Sequence, residues 1–182
     1  MEKNGFLGNF KIQPIGSRKN IPIPTSLPLK PTVGFFCGET PTFEKRSLFF
    51  QETIIFLKKI IDVDVLMIGR NLDHISELGT YESRAAQPDD YSRIDCLFTS
   101  SISKAVPLSV YEACSIGKPI VSTPRQFPVD DWPNIFFANT VEGLASHMTH
   151  ILNNRVLFFK NFSKNKFQPY VLEDYINLNM TL

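Results

Sequence analysis

The residue types that could bind a phosphorylated ligand are concentrated in residues 94–123, which read IDCLFTSSISKAVPLSVYEACSIGKPIVST. Pro107 stands where a helix can begin, because its missing N–H would lack a helical partner there anyway. The N–H groups of Leu108 and Ser109 then point out of the helix start, and such a terminus attracts phosphate. Glu112 lies one turn further in, where a carboxylate can accept two hydrogen bonds from a ribose diol. The spacing therefore predicts nucleotide binding; the alternative is a plain amphipathic helix with Glu112 facing solvent.

The other residues that could bind a ligand or take part in catalysis are supported by weaker sequence patterns. His147 and His150 are three residues apart and could ligate a metal, but no third ligand is nearby in the sequence. Cys114 lies inside the same helix as Glu112 and is expected in the core rather than as a nucleophile. The serine-rich stretch 100–103 could contact phosphate, although no G-x-S-x-G motif supports a serine hydrolase. Neither a Walker loop nor G-x-G-x-x-G is present, so we expect no ATPase and no dinucleotide dehydrogenase. Without a third ligand near the two histidines we expect no metal, and we expect no cofactor apart from a nucleotide-diphosphate sugar as the possible donor.

Five short apolar runs from residue 32 onwards indicate the strands that position these residues. They are TVGFFCG, VDVLMIG, IDCLFTS, KPIVST and NIFFAN. Helical patterns lie between or after them at residues 46–61, 107–117 and 140–154. The first of these helices places Phe50, Ile54, Leu57 and Ile61 on one face, with Lys58 and Lys59 in its last turn. Continuous apolar strands alternating with helices predict one α/β domain: a single Rossmann-like parallel sheet with helices on both faces.

The carboxyl ends of such a sheet form its ligand-binding rim. This topology places Gly38, Gly69 and residues 99–104 on one rim. We expect the domain to span residues 32–153, because residues 1–31 hold five prolines and predict an extended arm. The remaining residues, 154–182, predict a helical tail.

Composition excludes several classes of protein. The 182 residues carry 19 Lys and Arg against 18 Asp and Glu, so the net charge of +1 argues against a nucleic-acid-coating protein. No apolar run reaches the roughly 20 residues that span a bilayer, and the N-terminal residues lack the apolar stretch of a signal peptide. Three widely spaced cysteines predict a reducing, cytoplasmic environment. Residues 62–95 hold eight acidic and three basic side chains, which predicts a solvated face.

The segment KAVPLSVYEACSIGKPIVST resembles the nucleotide-sugar-binding, C-terminal domain of GT-B glycosyltransferases. The likeness is to the retaining family with an E-x-x-x-x-x-x-x-E motif followed by a Gly-Lys-Pro turn. It rests on Pro107, Leu108, the second motif acid Glu112, Ala113 and Gly117-Lys118-Pro119. In IDCLFTSS, Asp95 stands in the place of an aspartate on the strand before the motif, and VGFFCGETPTFEK is similar to the first strand and phosphate loop. The resemblance covers residues 32–153 and implies a donor-binding half of a GT-B fold.

The departures from that family concern charge and length. The first motif acid falls on Lys104, and the arginine usual after the glycine of the first loop falls on Glu39. Lys45 matches the lysine six places further on, and Arg46 or Arg70 could supply the missing positive charge. The stretch between the second and third predicted strands is short, and ISELGTYE is interpreted as the remnant of the usual helix and base-binding strand. The second GT-B domain has no room in the proline-rich arm.

The resemblance implies a binding site without an assigned catalytic residue. Its expected residues are Gly38, Lys45, Arg70, Lys104, Leu108, Ser109 and Glu112. The leading hypothesis is a glycosyltransferase-like protein that binds a nucleotide-diphosphate sugar and completes its cleft as a homo-oligomer or with a partner chain. The alternatives are a non-enzymatic nucleotide or nucleotide-sugar binding module and a degenerate fold used only as an interaction surface. We expect no membrane span and no nucleic-acid partner.

Overall fold

The computed structural model of the chain describes residues 21–37, 44–100, 107–124 and 134–161, without the side chains of residues 44–46. Across these ranges the chain forms one six-stranded parallel sheet. The strands are β1 (Thr32–Phe36), β2 (Asp64–Ile68), β3 (Thr80–Glu82), β4 (Cys96–Thr99), β5 (Ile120–Ser122) and β6 (Ile135–Phe137). The helices are α1 (Glu44–Leu57), α2 (Leu108–Ser115), α3 (Val141–Asn153) and α4 (Arg155–Asn161). Two 3₁₀ helices, Asp73–Leu78 (the first) and Pro88–Arg93 (the second), lie between β2 and β4.

The order of the strands across the sheet is β3-β2-β1-β4-β5-β6. Both faces are covered, because alternate residues of each strand pack against different helices. Val33 and Phe35 of β1 share a core with α1 and α3, whereas Phe36 packs with α2 and the second 3₁₀ helix. The predicted fold class, a Rossmann-like parallel sheet with helices on both faces, is confirmed.

The structure has a sixth strand beyond the five apolar runs. ISELGTYE, interpreted from the sequence as the remnant of a helix and a strand, forms the end of the first 3₁₀ helix and β3, a three-residue strand at the edge of the sheet. β3 escapes a search for apolar runs because Tyr81 is its one apolar residue. Its register, Leu66↔Thr80 to Ile68↔Glu82, adds it beside β2.

Helix α1 differs from the predicted bounds at both ends. It begins at Glu44 and ends at Leu57, so Lys58 and Lys59 follow the helix rather than forming its last turn. The N–H groups of Ile60 and Ile61 both donate to the carbonyl of Leu57, which closes a turn there. Ile61 still packs against the core, as its spacing predicted.

Helix α2 begins and ends where Pro107 and Gly117 predicted. It begins directly after Pro107, and Gly117 has a φ of 73° in the left-handed region that favours glycine. The Lys118 N–H then donates to the carbonyl of Ala113, so the chain leaves the helix tightly and enters β5. None of the helices in the described ranges is long and apolar enough to cross a membrane.

Candidate functional site

The candidate site lies at the carboxyl ends of β1 and β4, where the direction of the chain across the sheet reverses. From β1 the chain passes through α1 to β2 on one side, and from β4 it passes through α2 to β5 on the other. Such a switch point opens a crevice in which parallel α/β proteins bind ligands. Thr99 is the last residue of β4 and Ser100 follows it, and both are buried. The first turns of α1 and α2 follow these strand ends, so both helices begin beside the crevice.

The start of α2 combines backbone donors with a buried carboxylate. Leu108 and Ser109 are half-buried in its first turn, where N–H groups have no acceptor inside the helix. Pro107 precedes them without a side-chain cap. Glu112, one turn further in, is 3% exposed. The alternative in which Glu112 faces solvent is therefore wrong.

A buried tyrosine holds the carboxylate of Glu112. The hydroxyl of Tyr91, in the second 3₁₀ helix, donates to Oε2 of Glu112 at 2.6 Å. Tyr91 is fully buried, and its ring meets that of Phe36 edge to face with centroids 5.1 Å apart. The pair thus joins the end of β1, the second 3₁₀ helix and α2 at the switch point.

An ion-pair network holds the second 3₁₀ helix in place. The guanidinium of Arg84 donates to both carboxylate oxygens of Asp90, each at 2.7 Å, and also to Glu82. Arg93 donates to Asp90 at 3.0 Å and to Glu82 at 2.5 Å. Asp90 further accepts from the backbone N–H of Gln87 at 2.6 Å, which caps the 3₁₀ helix. Two arginines and two carboxylates therefore tie the end of β3 to the segment that carries Tyr91.

The network also sets the ionisation of its acids. Burial opposes the charge on Asp90, but hydrogen bonds from Arg84, Gln87 and Arg93 outweigh it and lower the Asp90 pKa below its usual value. The pKa of Glu82 is lowered mainly by its hydrogen bond from Arg93. The prediction of a solvated acidic face at residues 62–95 thus holds only in part, because Asp90 and Asp95 are buried.

Asp95 lies at the opposite, amino-terminal edge of the sheet, away from the switch point. It accepts from the Thr32 N–H at 2.8 Å and from Arg155 at 3.0 Å. Nearby, Lys118 is 1% exposed and donates through Nζ to the carbonyl of Ile94 at 2.6 Å. Burial lowers the pKa of Lys118 to about 8, while Asp95 opposes that shift. We call Asp95, Lys118 and Arg155 the amino-edge cluster, because they lie at the amino ends of the strands. These residues stabilise the fold and are not part of the candidate site.

The structure brings together three of the seven residues expected in the site. Leu108, Ser109 and Glu112 share the start of α2, and the exposed Arg70 follows the carboxyl end of β2. Gly38 and Lys104 lie outside the described residues. Lys45 is the second residue of α1, and its side chain also lies outside the described part.

The histidine and cysteine candidates from the sequence lie away from the start of α2 or in the core. A ring nitrogen of His147 lies 3.2 Å from the carbonyl oxygen of Phe137. In the described ranges no group of three His, Cys, Asp or Glu could hold a metal. Cys114 packs in the α2-side core, as predicted, and burial raises its pKa to about 12, so its thiol stays protonated.

Sequence reasoning missed Tyr91 and the arginines that support it. The available signal was slight: a single aromatic residue in the polar stretch QPDDYSR, three residues after Pro88, which can start a helical turn. Nothing in the spacing relates that stretch to Glu112, 21 residues further on.

Comparison by sequence finds no relatives: no protein-family model matches the chain, and no curated protein matches it. Comparison by structure finds glycosyltransferases. TarM, which is also solved from S. aureus in a complex that contains UDP, is 17% identical with a TM-score of 0.70. The match covers 87% of this chain and 36% of that of TarM. This chain thus spans about a third of the length of TarM.

Two further structures show the same relationship. The lipopolysaccharide outer core galactosyltransferase WaaB is 12% identical with a TM-score of 0.63, covering 93% of this chain and 54% of that one. The C-terminal domain of the group 1 glycosyl transferase LpcC from Francisella tularensis is 20% identical with a TM-score of 0.55, covering 77% of this chain and 84% of that domain. The chain therefore has the fold of a C-terminal-type domain of GT-B glycosyltransferases.

Proposed function

We propose that the chain is the nucleotide-diphosphate-sugar binding part of a glycosyltransferase whose acceptor half is supplied by another domain, a second copy or a partner chain. One observation carries the proposal: Glu112 is held by Tyr91 one turn inside α2, at the switch point of the sheet. In this place the α2 N–H groups suit a diphosphate and the carboxylate suits a ribose diol. UDP in the TarM complex supports the choice of ligand class.

The residues expected from the sequence take further roles within the proposal. Lys45 near the start of α1 and Arg70 after β2 would neutralise the diphosphate, and Gly38 would let the backbone approach it. Lys104 would face the sugar. Because lysine donates and cannot accept hydrogen bonds, it favours phosphate or a carboxylated sugar over a neutral hexose.

Sugar transfer requires an acceptor-binding half in addition to the donor-binding domain. The enzyme must hold donor and acceptor in register and stabilise the departing diphosphate. In this proposal the domain forms one wall of such a cleft. Its match to TarM covers 36% of the length of that protein. Co-expression with candidate partner chains, followed by light scattering and a sugar-transfer assay, tests this part of the proposal.

Nucleotide binding is tested by calorimetry with UDP on the full chain. Glu112→Ala removes a charged hydrogen-bond partner, so we expect affinity to fall ten- to a hundred-fold, or about 1.5–3 kcal/mol. Glu112→Gln keeps an acceptor for Tyr91 and should show a smaller loss in a folded protein. Glu52→Ala, an exposed acid on α1, is the matched control and should leave the affinity unchanged. Equal affinity of wild type and both Glu112 variants would remove Glu112 from the site.

The second candidate is a non-enzymatic module that binds a nucleotide or nucleotide sugar for sensing, sequestration or scaffolding. Lys104 and Glu39 favour it, because they change the charge at positions that the family resemblance assigns to the donor sugar and the phosphate loop. UDP binding without transfer to any acceptor, with and without a partner chain, would select this candidate. Sugar transfer by the isolated chain would exclude this candidate and would also show that no second copy or partner chain is needed for the acceptor half.

A further inference from the structure

The hydrogen bond between Tyr91 and Glu112 has the features of a positioning contact. An O–H···O⁻ bond of 2.6 Å is charge-assisted and among the stronger hydrogen bonds in proteins. Both residues are at least 97% buried, so water does not compete effectively for the contact. A carboxylate held in this way has one defined orientation.

The tyrosine is itself fixed from two sides. Its ring packs edge to face on Phe36, the last residue of β1. Its backbone belongs to the second 3₁₀ helix, which Asp90 anchors through Arg84 and Arg93. The orientation of Glu112 is therefore set by residues outside α2.

We propose that Tyr91 is the positioning residue of the ribose subsite: its buried hydroxyl orients the Glu112 carboxylate toward the 2′- and 3′-hydroxyls of a ribonucleotide. The inference rests on the proposed function. A carboxylate offers about four acceptor positions, so it has the capacity to accept from Tyr91 and from a diol together. Two hydroxyls can be met at once only if the plane of the carboxylate is fixed, because a rotating carboxylate loses the two-point contact.

The consequence is a specific loss of sugar discrimination. With the tyrosine hydroxyl present, UDP should bind about ten-fold more tightly than 2′-deoxy-UDP, because the deoxy sugar leaves one acceptor of a buried carboxylate unmatched. Without the hydroxyl, the two ligands should bind within about three-fold of one another. A purely structural tyrosine would change the affinity for both ligands in parallel and leave their ratio unchanged.

The experiment measures the affinities of UDP and 2′-deoxy-UDP by calorimetry for wild type, Tyr91→Phe and Tyr81→Phe. Tyr81 is the matched control, since its hydroxyl contacts the backbone N–H of Leu72 and not Glu112. We expect the ratio of affinities to collapse in Tyr91→Phe and to persist in Tyr81→Phe. An unchanged ratio in folded Tyr91→Phe overturns the inference while leaving the proposed function intact. Absence of UDP binding by the wild type overturns both.

A second variant keeps the test decisive if Tyr91→Phe does not fold. Asp90→Asn weakens the anchor of the second 3₁₀ helix without touching the tyrosine ring. We expect it to reduce the ratio of UDP to 2′-deoxy-UDP affinity, whereas Asp89→Asn, at an exposed position on the same 3₁₀ helix, should not. A full wild-type ratio in Asp90→Asn counts against positioning by this segment.

Discussion

Arg155, the first residue of α4, donates through Nε to Asp95 at 3.0 Å and so connects the start of the last described helix to the residue before β4. The same guanidinium donates to the carbonyl of Pro28, in the segment that leads into β1. The Asp95 side chain is 1% exposed and that of Arg155 is 14% exposed. One arginine thus connects three segments that are distant in sequence.

Removal of this arginine should destabilise the fold strongly. Arg155→Met leaves a buried carboxylate without its ion-pair partner, although the Thr32 N–H still donates to it. We expect the free energy of unfolding to fall by about 3 kcal/mol, the lower end of the range for broken buried ion pairs. Denaturant unfolding of Arg155→Met beside Lys160→Met, an exposed residue of the same helix, measures the effect. Equal unfolding midpoints for the two variants would contradict it.

Lys118 should make the stability of the wild type rise with pH in a specific window. Burial lowers its pKa in the folded chain from 10.5 to about 8. Between these values the unfolded chain binds the proton and the folded chain does not, so the free energy of unfolding increases as pH rises from about 8. Lys118→Met should lack this increase, as measured by denaturant unfolding from pH 7 to 10.

Two buried thiols act in the opposite direction, which makes a difference measurement necessary. Burial raises the pKa values of Cys96 and Cys114, so these thiols ionise in the unfolded chain first, and stability falls with pH above about 9. Subtraction of the Lys118→Met profile from that of the wild type isolates the lysine. Lys59→Met, which removes an exposed charge, is the control. A flat difference profile for Lys118 would refute the assignment.

The anchor of the second 3₁₀ helix should lose its stabilising effect in acid. Because the pKa of Asp90 is lowered in the folded chain, its stabilisation is complete above the ordinary value of 3.8 and is lost as pH falls through the folded value. At pH 7 we expect Asp90→Asn to lower the free energy of unfolding by about 1–3 kcal/mol. The deficit should shrink below pH 3.8. Asp89→Asn should stay within about 0.5 kcal/mol of wild type throughout.

Lys104 carries a prediction that comes from the sequence. In the wild type, UDP or UDP-glucuronate should bind at least as tightly as UDP-glucose, because an ammonium group favours an anion. Lys104→Glu should shift the preference toward UDP-glucose. Calorimetry with the three ligands, and with Lys160→Glu as a distant charge-change control, tests this. The same ranking in wild type and Lys104→Glu would place Lys104 outside the donor pocket.

The central strands and the start of α2 are predictable because their causes are local. Apolar runs indicate β1, β2 and β4, and Pro107 with Gly117 marks both ends of α2. The sequence left open whether Glu112 is buried, because that depends on a tyrosine 21 residues away in a short 3₁₀ helix. No periodicity relates such residues to one another.

The amino-edge cluster was unpredictable for the same reason. Arg155 and Asp95 are 60 residues apart, and each belongs to a segment whose own pattern predicts only its secondary structure. The order of the strands places the start of β4 next to the start of β1, where the Thr32 N–H donates to Asp95. Long-range polar contacts of this kind require the topology first.

The central place of β1 also governs how the chain folds as it is made. Val33 pairs with Val65 in β2 and with Cys96 in β4, and Cys96 follows Val33 by 63 residues. At about 5–20 residues per second, the ribosome needs about 3 to 13 seconds to produce that stretch. During this interval one side of β1 is an unpaired row of backbone donors and acceptors beside an apolar surface. The central strand therefore completes its pairing on both sides only after the chain has been synthesised as far as β4.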